Sequence, residues 1–163
     1  MYYIEDYCVA SKGITPLKNE DNIFVNGMSL VSNNNGLSNY KIHRNLANKK
    51  LCYAVFDGIG GLEKGDYASL IGVQTLTNLH NKKTLKDILI KINKTLYQIK
   101  KDKNINLGTV GSIIKIEKKQ LIINQVGDCP IYILHDNKFS KYIDEESNSC
   151  LLYTSDAADD RIS

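Results

Sequence analysis

Residues 51–69, LCYAVFDGIGGLEKGDYAS, decide the reading of the whole chain. An apolar run from Leu51 to Phe56 ends in one carboxylate, Asp57, and passes into Gly58, Gly60 and Gly61; beyond them Ala68, Leu70, Ile71 and Val73 recur at helical spacing. The pattern predicts strand, tight turn and helix. Because the apolar run has no polar side, the strand can be buried on both faces, and its end delivers Asp57 to the rim of a sheet, where a carboxylate is rarely left without a partner.

A glycine-rich turn entering a helix can cradle a phosphate on backbone N–H groups. Here Gly58-x-Gly60 lacks the third glycine of a dinucleotide-binding turn, and Asp57 would set a negative charge beside the pyrophosphate. A carboxylate followed by a glycine carbonyl suits a hard divalent cation, Mg²⁺ or Mn²⁺, better. The plainer alternative for an isolated Asp-Gly is a structural turn in which Asp57 caps the helix.

Working outward, 163 residues hold one domain with a sizeable core and leave no room for two ordinary ones. The net charge of +3 is small and both signs are dispersed, so neither nucleic acid nor an anionic membrane is expected as a partner. No apolar stretch is long enough to span a bilayer, and MYYIEDYC at the start lacks the features of a signal peptide, so a cytoplasmic location is expected. Cys8, Cys52, Cys129 and Cys150 show no ligand spacing and read as buried, reduced thiols. His43, His80 and His135 are scattered and are assigned no role.

Residues 3–11 and 23–25 read as strands joined by a turn-rich loop that carries Lys18, Asn19, Glu20 and Asp21. Residues 27–50 are rich in Asn, Ser and Lys with little periodicity, and read as a surface insertion adding little to the core. A first helix is expected over 67–79. A second follows Thr84, with Thr84 and Asp87 as a capping pair and Leu85, Ile88, Leu89, Ile92, Leu96 and Ile99 along one face. Its lysine-rich opposite face reads as solvated surface. Beyond Gly108 the period becomes two, predicting strands over 112–117, 120–126, 131–134 and 138–142 in one antiparallel meander. Strands, then two helices, then strands argue for an α/β (α+β) sandwich with segregated layers.

Taken in order, NED at 19–21, VFDGIGG at 55–61, GDYAS at 65–69, GT at 108–109 and VGD at 126–128 resemble the metal-dependent, type 2C serine/threonine protein phosphatases, most closely the bacterial branch. The resemblance covers nearly everything from residue 3 to about residue 146. It implies an α-β-β-α sandwich, antiparallel sheets flanked by helices, with two Mn²⁺ or Mg²⁺ ions at one end. Carried over residue by residue, it implies that Asp57 bridges the ions, Gly58 offers its carbonyl to one, Glu20 binds the other, and Asp21 holds water beside them. Asp128 falls where some bacterial members bind a third, weaker metal. The implied reaction is hydrolysis of phosphoserine and phosphothreonine in proteins, by a water that two cations acidify and aim at phosphorus. Phosphorylated proteins, and a cognate Ser/Thr kinase acting in opposition, are the implied partners.

The chain also departs from that pattern. Pro16 stands where the family's phosphate-clamping arginine is usual, and nearby Lys18 offers at most a point charge, not a planar fork. Position 59 is Ile, as in bacterial members, and Cys129 and Pro130 replace the usual Ser-Arg. From Cys150 the composition changes abruptly, and CLLYTSDAADD resembles translated adapter sequence. Residues 1–149 are therefore expected to form a partial phosphatase domain and 150–163 a non-native tail. The rival reading of LLYTSDAADD as the family's late metal-binding element lacks the glycine and lies too near Asp128. With the family's two late aspartates missing, turnover by the chain as given is expected to be weak or absent. The alternative function is a catalytically silent binding or regulatory module that keeps the fold.

Overall fold

The computed structural model describes residues 3–14, 16–31, 34–45, 50–59, 62–117 and 120–142. The strands are β1 (Tyr3–Ser11), β2 (Asn22–Val25), β3 (Met28–Ser29), β4 (Gly36–Asn45), β5 (Leu51–Gly58), β6 (Thr109–Glu117), β7 (Gln120–Val126), β8 (Ile131–His135) and β9 (Lys138–Tyr142). Helices α1 (Gly65–Leu79) and α2 (Leu85–Lys103) fall between β5 and β6. One five-stranded sheet has the order β3-β2-β5-β6-β7, while β1-β4 and β8-β9 form separate pairs. Every pairing is antiparallel.

Both helices cover one face of the five-stranded sheet. Phe24, Cys52, Ala54, Phe56 and Ile113 on the sheet meet Ala68, Val73 and Leu76 of α1 and Leu85, Ile88, Ile92 and Leu96 of α2 in one apolar core. Phe56 is wholly buried, and Gly72 and Gly111 make room for it: a Cβ on either would come within 2.8 Å and 2.5 Å of its ring. The alternation of a strand then sends Tyr53, Val55 and Asp57 to the opposite face. That face is open enough to leave Val55 47 % exposed, so β5 is not buried on both sides as its apolar run implied. Helices shield one face; the other looks into a groove.

β1 flanks this groove, tied to the sheet by the Tyr53 hydroxyl, which donates to buried Asp6 at 2.7 Å. The stretch read as an irregular insertion contains β3 and the ten-residue β4, which pairs with β1 along most of its length. Low apolar content concealed it, because a strand at a sheet's margin draws its stability from backbone pairing. The expected four-strand meander also divides. β7 ends at Val126, Gly127 after it turns the chain with a φ of +81°, and Pro130 has no N–H for a ladder. The Ser112 hydroxyl donates to the Cys129 carbonyl at 2.6 Å, and β8 starts a separate hairpin.

Thr84 caps α2 as its spacing predicts. Its Oγ1 accepts from the Asp87 N–H at 3.1 Å, and its hydroxyl donates to the Asp87 carboxylate at 2.7 Å. Thr84→Ala is expected to cost about 1 kcal/mol, measured by urea unfolding; an unchanged midpoint would show that the cap contributes nothing. Cys52 and Cys129 are buried free thiols and Cys8 is partly buried; Cys150 and the expected tail lie outside the described residues. Among the described residues, no helix is long and apolar enough to cross a membrane.

Candidate active site

The end of β5 is fixed by partners that lie far away in sequence. Buried Thr109 donates its hydroxyl to the Asp57 carbonyl at 2.6 Å, and the Ile59 N–H reaches the Gly108 carbonyl at 3.0 Å, which gives the Gly-Thr pair its place. The Gly58 N–H donates to the Glu20 carbonyl at 3.2 Å, and the Ser69 hydroxyl of α1 donates to the same oxygen at 2.6 Å. Glu20 is thus held between strand β5 and helix α1. Its approach requires glycine: a Cβ at Gly58 would overlap the Gly65 backbone and lie 2.6 Å from the Glu20 carbonyl oxygen.

Two buried asparagines shape the chain around β2. Asn19 accepts from the Asp21 N–H at 3.2 Å and donates its amide to Asn34 at 3.0 Å, so part of the supposed insertion braces the site. Asn22 accepts from the N–H groups of Ile23 and Leu30, both at 3.0 Å. Glu20 and Asp21 then face different surroundings. Asp21, Asp57 and Asp128 line a cavity of about 560 Å³ whose remaining wall includes Tyr53, Val55, Ile114 and Ile131. Glu20 does not line it. Its carboxylate lies against Gly65 and 3.7 Å from the Lys18 ammonium.

Lys18 has a closer partner. Its ammonium meets the Asp66 carboxylate at 2.5 Å, which engages the charge the sequence had suggested for a substrate phosphate. Sequence reasoning gave Asp66, Ser69 and Thr109 no roles, although all three lie in the motif blocks GDYAS and GT. Cys129 was also left unassigned. It lines the cavity beside the aspartates, and burial, then the charges of Asp57 and Asp128, push its thiol up to about 12.

Burial is also the main cause of the raised Asp21 carboxyl; the Asp57 charge and a side-chain hydrogen bond with Asp57 follow, and together with Glu20 they bring it to about 6. Between its ordinary 3.8 and that value, the folded chain keeps a proton that the unfolded chain has released. In metal-free protein, this group's contribution to stability should be full below the unfolded value and fall as pH rises through about 6. Urea melts across that range check it. Asp21→Asn should flatten the slope, and an unaltered slope would exclude Asp21 as its source.

Convergent carboxylates favour either a shared proton or a cation between them. The donors gathered here, Asp21, Asp57 and the glycine-lined turn at Gly58, are hard oxygens that suit Mn²⁺ or Mg²⁺. Among the described residues, no group of three His, Cys, Asp or Glu side chains is arranged to hold a metal ion. The fit is therefore one of donor chemistry and close backbone approach, not of a closed coordination set.

The family model for protein phosphatase 2C matches residues 24–145. The chain belongs to this family. Asp57, Gly58 and Asp128 fall inside the matched residues, whereas Lys18, Glu20 and Asp21 precede them. Among solved structures, a bacterial serine phosphatase is similar at 17 % identity and a TM-score of 0.66, over 88 % of this chain and 55 % of its own. Stp1 from Staphylococcus aureus, a serine/threonine phosphatase, gives 17 % and 0.64 over 86 % and 53 %. The catalytic domain of the serine/threonine phosphatase PstP, solved with 2 manganese ions, gives 20 % and 0.57 over 87 % and 56 %. At such identities the likeness establishes a shared fold, and this chain spans about half the length of those structures. No curated protein matches.

Proposed function

We propose that the chain carries the carboxylate-bearing part of a metal-dependent protein serine/threonine phosphatase. The observation that carries this reading is the convergence of Asp21, Asp57 and Asp128 on one cavity at the end of β5, within the phosphatase 2C family. Asp57, Glu20, Asp128 and the Gly58 carbonyl would hold Mn²⁺ or Mg²⁺, with Asp21 placed to orient water beside them. Bound there, divalent cations would supply an acidified water and offset charge on the phosphoryl oxygens.

The chain's own groups do the rest. Thr109 and Gly108 pin the strand end so that Asp57 does not recoil from Asp21. Val55, Ile114 and Ile131 give the groove an apolar wall beside the acidic end. Phosphoserine and phosphothreonine proteins are the proposed substrates, with a kinase of matching specificity acting in opposition. Residues 1–149 are the proposed phosphatase portion.

Calorimetric titration with Mn²⁺, together with Mn²⁺-dependent phosphate release from a phosphothreonine peptide, tests the reading. Saturable binding with release of phosphate supports it. A folded chain that binds neither Mn²⁺ nor Mg²⁺ overturns it. The second reading, a silent module on the same fold, is favoured by Pro16 at the clamp position and by the engagement of Lys18 with Asp66. Metal binding without any hydrolysis in a chain supplied with the family's two late aspartates would select it.

A further inference from the structure

Lys18 and Asp66 lie 48 residues apart in sequence, yet their charges meet at 2.5 Å with the Asp66 side chain only 12 % exposed. The contact joins the loop before β2 to the first turn of α1, where Asp66 also suits the positive end of the helix dipole. Ser69, one turn further along, donates to the Glu20 carbonyl, so two side chains of α1 grip the same short loop. Between these grips lies the Glu20 carboxylate. Gly65 bounds it on one side, where a Cβ would come within 3.2 Å of Oε2, and the Lys18 ammonium stands 3.7 Å from Oε1.

We infer that the Lys18–Asp66 pair is a latch that seats the Glu20 carboxylate for a divalent cation, making Lys18 and Asp66 positioning residues. Lys18 does not clamp the substrate phosphate. A freely mobile loop would present Glu20 in many positions and would lose, on binding, the freedom that the latch has already removed. Asp66 takes up the Lys18 charge at short range, so the ammonium beside Glu20 belongs to a nearly neutral pair and not to an isolated cation that would repel a metal. The inference rests on the metal-dependent reading above.

Mn²⁺ titration of the full chain tests it, using wild type, Lys18→Met, Lys18→Arg, Asp66→Asn and the Lys18→Met/Asp66→Asn double variant. Lys18→Met and Asp66→Asn should each weaken binding about 10-fold, the range seen when a ligand's supporting partner is removed. The double variant should be no weaker than the worse single, because each substitution opens the same latch. Lys18→Arg should stay near wild type. Thermal melts in EDTA ensure that titrations are run on folded protein; if Asp66→Asn is unfolded, the partly exposed Lys18 and its Met and Arg variants carry the test. Unchanged affinity in Lys18→Met overturns the latch, as do additive losses in the double variant. Tighter binding in Lys18→Met overturns it too, since Lys18 would then be a tethered competitor for Glu20. Wild-type binding with unaltered variants removes the latch alone, whereas failure of wild type to bind Mn²⁺ removes the latch and the metal-dependent reading together.

Discussion

On the proposed metal-dependent reading, Asp57→Asn is expected to lower whatever Mn²⁺-dependent phosphate release the wild-type chain shows from a phosphothreonine peptide by about 10³-fold, because it removes a ligand of the cations that would stabilise charge on the phosphoryl group. Asparagine keeps the shape and removes the negative charge. The fold should tolerate it. The Asp57 side chain stands on the groove face, and the backbone contacts that place it, from Thr109 and the β6 ladder, do not involve the carboxylate. Thermal melts of the metal-free variant should therefore match or exceed wild type near neutral pH, since one of the charges that raises Asp21 is gone. The split is the informative result: activity lost, folding kept. Hydrolysis that survives the substitution would take Asp57 out of the chemistry and leave the strand-end carboxylate with a structural role.

The second large effect is on stability. Gly58→Ala is expected to cost about 3 kcal/mol, at the upper end of overpacking penalties, because its Cβ would meet backbone and not the movable end of a side chain. For a chain of this size that is a fall of about 6–12 °C in Tm. Gly65→Ala makes the comparison. Its Cβ would meet the Glu20 carboxylate at 3.1–3.2 Å and the Gly58 carbonyl carbon at 3.2 Å, contacts that shifts of a few tenths of an ångström relieve. It should cost about 1 kcal/mol while weakening Mn²⁺ binding, since the carboxylate must move. Equal melting temperatures for the two variants would contradict the close three-way approach of Gly58, Gly65 and Glu20.

Particular residues show where the sequence could be read and where it could not. The α2 cap was legible because Thr84 and Asp87 are three residues apart, and the contact between them is local. The β5 to α1 succession was legible for a similar reason: a run of apolar residues, glycine and then a change of period occupy one short window. Strand β4 was not legible. It lies within an Asn-, Ser- and Lys-rich stretch with little periodicity, and its partner, β1, lies some thirty residues earlier. The open face of β5 was not legible, because an apolar run states preference for burial and not what is available to cover it. The likeness to phosphatases came from the order of short motifs, which preserves the elements in sequence but not the contacts between them.

By itself, then, the sequence determined the elements with local causes: two helices, most strands, a carboxylate at the end of a central strand, and the family to which the ordered motifs belong. The tertiary structure alone decided which polar groups meet. Lys18 on Asp66, Tyr53 on Asp6, Thr109 on the Asp57 backbone and Asn19 on Asn34 join segments 15 to 52 residues apart. Such contacts arise from how sheets and helices pack, and a window of sequence carries the propensity of each segment but not the geometry that brings two segments together. The same packing sent the neighbouring side chains of Glu20 and Asp21 to different surroundings, one against helix α1 and one into the cavity.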